Sequence, residues 1–171
     1  MPLLNILKYP DSRLKNVAQK VVSFNKDLSK IVSDMSETMY KAPGIGLAAT
    51  QVNINKEIIV IDISEKRDNL LVLINPEIIW TSENKKFYEE GCLSIPGIYE
   101  NVCRPSEIKV KSYNLEGKVF EISADGLLSV CIQHEMDHLV GKVFVDYLST
   151  LKRSRIKSKL LKEERELKKI A

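Results

Sequence analysis

At 171 residues, 44% hydrophobic and 29% charged, with a formal net charge of +3, the chain is long enough for one domain with a real core, and its composition excludes a disordered, fibrous or disulfide-rich protein. Its longest apolar runs fall far short of the roughly 20 residues that span a bilayer, and residues 1–11 carry no secretory h-region. A cytoplasmic protein without a membrane partner is therefore expected. Cys92, Cys103 and Cys131 are odd in number and irregular in spacing, which reads as reduced thiols rather than a disulfide framework.

Asn25 is placed to cap a first helix whose apolar positions Leu28, Ile31, Val32, Met35 and Met39 follow three-and-four spacing and which stops at Pro43-Gly44. Short β-branched runs follow at Glu57 to Ile63, Leu70 to Ile74, Glu77 to Trp80, Glu107 to Tyr113 and Val119 to Ile122. The last two flank Asn114-Leu115-Glu116-Gly117, a four-residue hairpin loop. This middle region reads as antiparallel sheet. Asp125 then caps a helix over Gly126 to Val140, apolar nearly all round and hence buried, with Gly141 as its C′ residue. A last helix runs from about Thr150 to Ile170. The fold class is α+β, with antiparallel sheets packed around a central helix, and no internal repeat or linker divides the chain.

That central helix carries His134-Glu135-Met136-Asp137-His138. Residues four apart share a helix face, about 6 Å apart at Cβ, so the chain's only two histidines can grip one divalent cation together. Glu135, about 100° around the helix, is placed to take a proton from a metal-bound water. Two histidines satisfied inside the core are the bland reading. Burying this polar set would cost several kcal/mol without pairing or a metal, and the sequence favours the metal. A catalytic site of this kind has three protein ligands and an open position, and no third histidine exists. Cys92, in Glu89-Glu90-Gly91-Cys92-Leu93-Ser94-Ile95-Pro96, is the first candidate because its glycine allows close backbone approach. Cys131 shares the helix face with His134 but reads better as a small buried hydrophobe, and Cys103 has no supporting context.

Gly44-Ile45-Gly46-Leu47-Ala48-Ala49-Thr50-Gln51 looks like half a nucleotide-binding fingerprint, yet it follows a helix and lacks the third glycine and the acidic residue. Phosphate binding is thus not expected. Small residues there let another chain lie against the backbone, with Gln51 as an amide donor; the alternative is a tight turn packed on the core.

Residues 149–171 hold nine Lys/Arg against three Glu, whereas the remainder is mildly acidic. The tail has no aromatic residue and no base-reading pattern, so no specific DNA partner is expected. It reads either as a solvated helix with Glu/Lys pairs or as a handle for a polyanion such as RNA.

Together the Gly44 to Gln51 stretch, Glu90-Gly91-Cys92-Leu93-Ser94 and Gln133-His134-Glu135-Met136-Asp137-His138 resemble the three motifs of peptide deformylases, in that family's order. The likeness continues through Ala124 to Leu128 and Leu139 to Gly141 and covers almost the whole chain. The basic last helix looks like that of the bacterial-type class. The resemblance implies a hydrolase that removes the formyl group from the N-terminal formylmethionine of nascent polypeptides. It makes residues 1–148 the catalytic domain and 149–171 a helix of the same domain.

Carried over, Cys92, His134 and His138 hold the metal, Glu135 is general base and then acid, and Gln51 with the backbone N–H of Leu93 steadies the oxyanion. The metal implied is ferrous iron, with nickel, cobalt or zinc as substitutes. The methionine side chain is expected near Ile45, Tyr88, Leu127, Val130 and Cys131, with the peptide backbone added as a strand beside Gly44 to Gly46 and Gly91. Glu90 and Arg104 match a supporting ion pair, and Asp137 has a supporting role. Gly97 to Asn101 departs from members that carry a basic residue near position 99. The basic helix implies ribosome docking. Two other classes stay open on the residues alone: a metallopeptidase and a non-catalytic metal-binding module.

Overall fold

The computed structural model describes residues 3–170. Helix α1 spans Lys26–Lys41, and the Asn25 side chain accepts from the Leu28 amide, as a helix N-terminus requires. Five strands follow in one antiparallel sheet: β1 (Gly46–Ala48), β2 (Ile58–Ile61), β3 (Leu71–Thr81), β6 (Glu107–Tyr113) and β7 (Val119–Asp125), ordered β1-β2-β3-β6-β7. Strands β4 (Lys85–Cys92) and β5 (Ile95–Pro105) form a separate two-stranded sheet. Helix α2 covers Gly126–Leu139 and α3 covers Thr150–Ile170.

The hairpin expected across Asn114 to Gly117 is present, with Tyr113 opposite Val119. The Asn114 side chain accepts from the amides of Glu116 and Lys118, which fixes the turn. The runs Leu70 to Ile74 and Glu77 to Trp80, in contrast, are one strand. Asn75 takes a positive φ of 51° and the register shifts between Ile74 and Glu77, because Pro76 cannot donate to a ladder and is accommodated as an irregularity. Asn75 Oδ1 accepts from the Val21 amide at 2.8 Å, and its Nδ2 donates to the Val21 carbonyl at 2.9 Å. The sequence gives little warning of β1, β4 and β5, since β1 is three residues long and half of β4 is charged.

The sheet and α2 enclose a core in which Ile59, Ile61, Leu73, Ile108 and Val110 meet Cys131, Ile132 and Leu139. A second core lies under α1, where Met35, Met39, Leu47 and Ile58 are fully buried. Asp125 stands at the N-cap of α2 without a side-chain capping bond. At the other end Gly141 N–H donates to His138 and Lys142 N–H to Asp137, the paired bonds of a Schellman ending with Gly141 at φ 79°. Helix α3 buries only Ile156 and Leu160, against a cluster with Ile95, Phe144 and Val145. Apart from half-buried Arg153 the rest of its surface is exposed, and Glu164 pairs with Lys168 at 3.3 Å one turn on. No helix among the described residues is long and apolar enough to cross a membrane.

Candidate metal centre and active site

Helix spacing brings His134 and His138 to one side of α2, with ring centroids 5.0 Å apart. The hairpin β4–β5 delivers Cys92 to them. Cys92 pairs with Ile95 across the two-residue turn Leu93-Ser94, and its Sγ lies 3.4 Å from His138 Nε2. Donor atoms of Cys92, His134 and His138 all fall within 4.8 Å of one another. Cys131, the competing thiol, stays in the core; burial first and then the charges of Glu135 and Glu90 push it up to about 12, so it remains a neutral thiol. Cys103 is exposed.

The surroundings fit a cation. His134 Nδ1 lies 2.9 Å from Glu90 Oε1. An ionised carboxylate can only accept, so Nδ1 carries a proton, and Nε2 is the nitrogen turned toward a metal, which would displace any proton held there. Glu90 is held in turn by Arg104, whose Nε and Nη2 donate to its two oxygens at 2.5 and 2.9 Å. Burial alone would raise the Glu90 carboxyl, but the bonds from His134 and Arg104 hold it below its ordinary value. The pair is buried rather than a surface pair. Among the described residues, Glu135 Oε1 and His138 Nδ1 are buried without a hydrogen-bond partner. A soft thiolate with two imidazoles, plus a buried carboxylate with a spare oxygen, suits a first-row divalent cation with an open position.

Glu135 Oε2 is 4.0 Å from His134 Nε2. Burial pushes its carboxyl up to about 7, opposed by His134 and assisted by Glu90, which is the range a general base and acid needs near neutral pH. The glycines of the first motif make room for this group. A Cβ on Gly46 would fall 2.6 Å from Glu135 Oε2, and one on Gly44 would fall 2.5 Å from the Leu93 side chain. Gln51, in a 3-10 turn at Ala49–Val52, accepts from the Ala48 amide through Oε1 and directs Nε2 toward Cys92 Sγ at 3.4 Å and Ser94 Oγ at 3.0 Å. The chain's first strap fastens these donor segments together. Leu7 N–H donates to the Gln51 carbonyl, Tyr9 N–H to that of Ser94, and Lys8 Nζ to that of Leu93.

A cavity of ≈ 690 Å³ opens over this centre. Gly44, Ile45, Gly46, Gly91, Leu93, Leu127, Val130 and Cys131 line it together with Cys92, His134 and Glu135, while Gln51 and His138 lie behind its wall. Tyr88, by contrast, is not on the wall. Strand β4 carries it four residues from Cys92, about 13 Å at strand rise, where it pairs with Val102. Tyr99 of β5 lines the cavity instead, its ring packed on Gly91 so closely that a Cβ there would fall 2.5 Å away. Strand β1 is a sheet edge beside the opening.

Two contributors escaped the sequence. Arg67 donates to the Gly44 carbonyl and lies over the Tyr40 ring at 5.1 Å, fastening the loop after β2 behind the first motif; its positive φ of 58° was the kind of feature no local pattern announces. Tyr147 reaches Asp137 and Arg104 from the 3-10 turn Phe144–Tyr147. Asp137 itself accepts from Arg104 Nη1 at 2.9 Å, so its place in the support of the site is visible.

Residues 3–154 match the family model described as polypeptide deformylase. The chain is 59% identical to peptide deformylase 1 of Burkholderia multivorans over 96% of its own length and 91% of that protein's. Among solved structures it is similar to a peptide deformylase from Legionella pneumophila, at a TM-score of 0.91 and 44% identity over 96% of both chains. It is also similar to peptide deformylase from Ehrlichia chaffeensis in complex with actinonin, at 0.93 and 39% identity over 96% of this chain and 99% of that one. With a Cys/His/His metal-binding group beneath its cavity and these relatives across nearly its full length, this chain belongs to the polypeptide deformylase family of metal-dependent hydrolases.

Proposed function

We propose that the chain carries out deformylation of nascent polypeptides, splitting formylmethionine at the N-terminus into formate and a free amine, with Cys92, His134 and His138 as metal ligands and Glu135 as the proton carrier. The convergence of the three donor atoms beside a buried carboxylate carries this reading. A divalent cation bound there supplies Lewis acidity, making water beside it a nucleophile at neutral pH; ferrous iron is the metal we assign, with nickel, cobalt or zinc as substitutes.

Glu135 takes a proton from the attacking water and later gives it to the amine nitrogen as the C–N bond breaks. The Gln51 amide and the Leu93 N–H hold the formyl oxygen as negative charge grows on it, each donor typically worth about 3 kcal/mol. Ile45, Leu127, Val130 and Cys131 offer the methionine an apolar wall, and the β1 edge with Gly91 accepts the peptide backbone as an added strand. Backbone pairing reads no side chains, which suits an enzyme acting on many new chains in the cytoplasm.

The test is formate release from a formylmethionyl peptide. Activity that vanishes in Glu135→Ala while the metal content stays unchanged supports the reading, and undiminished turnover overturns the role of Glu135. Cleavage of internal peptide bonds in unformylated substrates would make the chain a metallopeptidase instead.

The exposed basic face of α3 supports ribosome docking. Truncation would strip Ile156 and Leu160 from the core, so charge reversal at exposed Lys157, Lys159 and Lys162 is the cleaner test. Ribosome affinity at low salt should fall, with a shallower salt dependence; unchanged affinity overturns the docking role.

A further inference from the structure

Phe144–Tyr147, a single 3-10 turn, touches the support of the metal centre at both ends. Phe144 is buried and stacks on the His134 ring, with centroids 6.0 Å apart and planes at 29°. Three residues on, the Tyr147 ring covers the Arg104 guanidinium at 5.0 Å, and its hydroxyl donates to Asp137 Oδ2 at 2.8 Å. That same oxygen accepts from Arg104 Nη1 at 2.9 Å. A continuous chain of contacts therefore runs from Tyr147 through Asp137, Arg104 and Glu90 to His134 Nδ1.

We infer that Tyr147 is a positioning residue for the metal-binding face of His134, acting through Asp137, Arg104 and Glu90. The inference rests on the metal centre proposed above. A planar guanidinium with two Nη groups and one Nε can hold two carboxylates only in one orientation. Here Nε and Nη2 are spent on Glu90 and Nη1 on Asp137. Asp137 is the movable member: its side chain is 18% exposed, whereas those of Arg104 and Glu90 are 4% and 3%. Without the Tyr147 hydroxyl, Asp137 is free to turn to water and release Nη1. Without the ring, the guanidinium face opens further to a second cavity of ≈ 390 Å³ that Arg104, Asp137 and Tyr147 line. Either change loosens the fork on Glu90, and Glu90 is what fixes the His134 ring and its tautomer.

The experiment loads Co²⁺ into wild type, Tyr147→Phe, Tyr147→Leu and Asp137→Asn, and follows the cobalt absorption spectrum and the rate of cobalt transfer to a chelator. Partners in direct contact with a ligand typically change metal affinity about 10- to 100-fold. One contact further out, the release rate should rise about 3-fold in Tyr147→Phe and about 10-fold in Tyr147→Leu, with an altered ligand-field band. Leu28→Ala, which weakens the fold in the separate core under α1, serves as the control. Release in Tyr147→Leu within twofold of wild type overturns the inference, as does an equal rise in Leu28→Ala. If Tyr147→Leu does not fold, Tyr147→Phe and Asp137→Asn decide: faster release with a changed spectrum supports the positioning role, and wild-type release overturns it. Failure of the wild type to bind Co²⁺ would instead overturn the metal centre itself.

Discussion

Glu135 rests against the backbone of Gly46: a Cβ at residue 46 would stand 2.6 Å from Glu135 Oε2 and 3.1 Å from its Cδ. The position of Glu135 on α2 is thus shaped by the absence of a side chain on β1, a strand 89 residues earlier at its start. Gly46→Ala should move the carboxylate by several tenths of an ångström or more without touching a metal ligand. Small misplacements of reacting groups cost up to about 100-fold, so kcat/KM on a formyl peptide should drop about 10- to 100-fold at unchanged metal content. Wild-type kinetics in Gly46→Ala would mean that Glu135 tolerates displacement.

The two buried-side thiols should separate cleanly in metal analysis. Cys92→Ala removes a donor 3.4 Å from His138 Nε2 and should lose the metal and the activity together. Cys131→Ala removes a thiol that burial keeps protonated, and metal stoichiometry should stay at the wild-type value. Treating the wild type with a strong chelator should abolish turnover, and re-adding Fe²⁺ or Co²⁺ should restore it.

Asp62 and Tyr40 set limits on stability at both ends of the pH scale. Burial alone would raise the Asp62 carboxyl, but bonds from the Ser64 hydroxyl, the Tyr40 hydroxyl and the Ser64 and Asn69 amides hold it at about 2, below the ordinary 3.8. Its folded pKa is depressed, so the contribution is present above pH 4 and is lost as pH falls through 4 toward 2. Tyr40 is raised to about 12, by burial and then by its bond to Asp62. The contribution of Tyr40 is complete below about pH 10 and disappears as pH rises toward 12. Unfolding midpoints across pH should show both losses. Tyr40→Phe should shrink the alkaline loss and move the acid loss upward; an unchanged alkaline loss in that variant would refute the assignment.

Gly141 ends α2 with φ 79°, and a Cβ there would fall 2.4 Å from the Lys15 carbonyl oxygen. Gly141→Ala combines left-handed strain with a backbone clash and should destabilise by at least about 1–3 kcal/mol. Thermal or denaturant unfolding measures this directly. A loss below about 0.5 kcal/mol would show that the loop around Lys15 yields.

What the sequence determined by itself is what lies within a few residues along the chain. The Asn25 cap and apolar stripe of α1, the Asn114 to Gly117 hairpin, and the Schellman ending at Gly141 depend on bonds between near neighbours. The same holds for His134, Glu135 and His138, since helical periodicity alone puts four-apart residues on one side. Resemblance to known motifs extended this to the family.

Tertiary structure decided the rest. Whether Cys92 or Cys131 faces the histidines depends on where β4–β5 lies against α2, and Cys92 is 42 residues from His134 in the chain. The charged strand β4 shows little apolar alternation because much of it faces solvent, so its pairing was invisible locally. Tyr88 and Tyr99 are both half-polar aromatics on one hairpin, and only the path of the strands placed Tyr99 on the cavity wall. The contacts of Arg104 with Glu90 and Asp137, and of Tyr147 with Arg104 and Asp137, join four separate elements. Short-range order follows from backbone geometry and neighbouring side chains; a site assembled from distant segments exists only once the core has packed and fixed the distances between them.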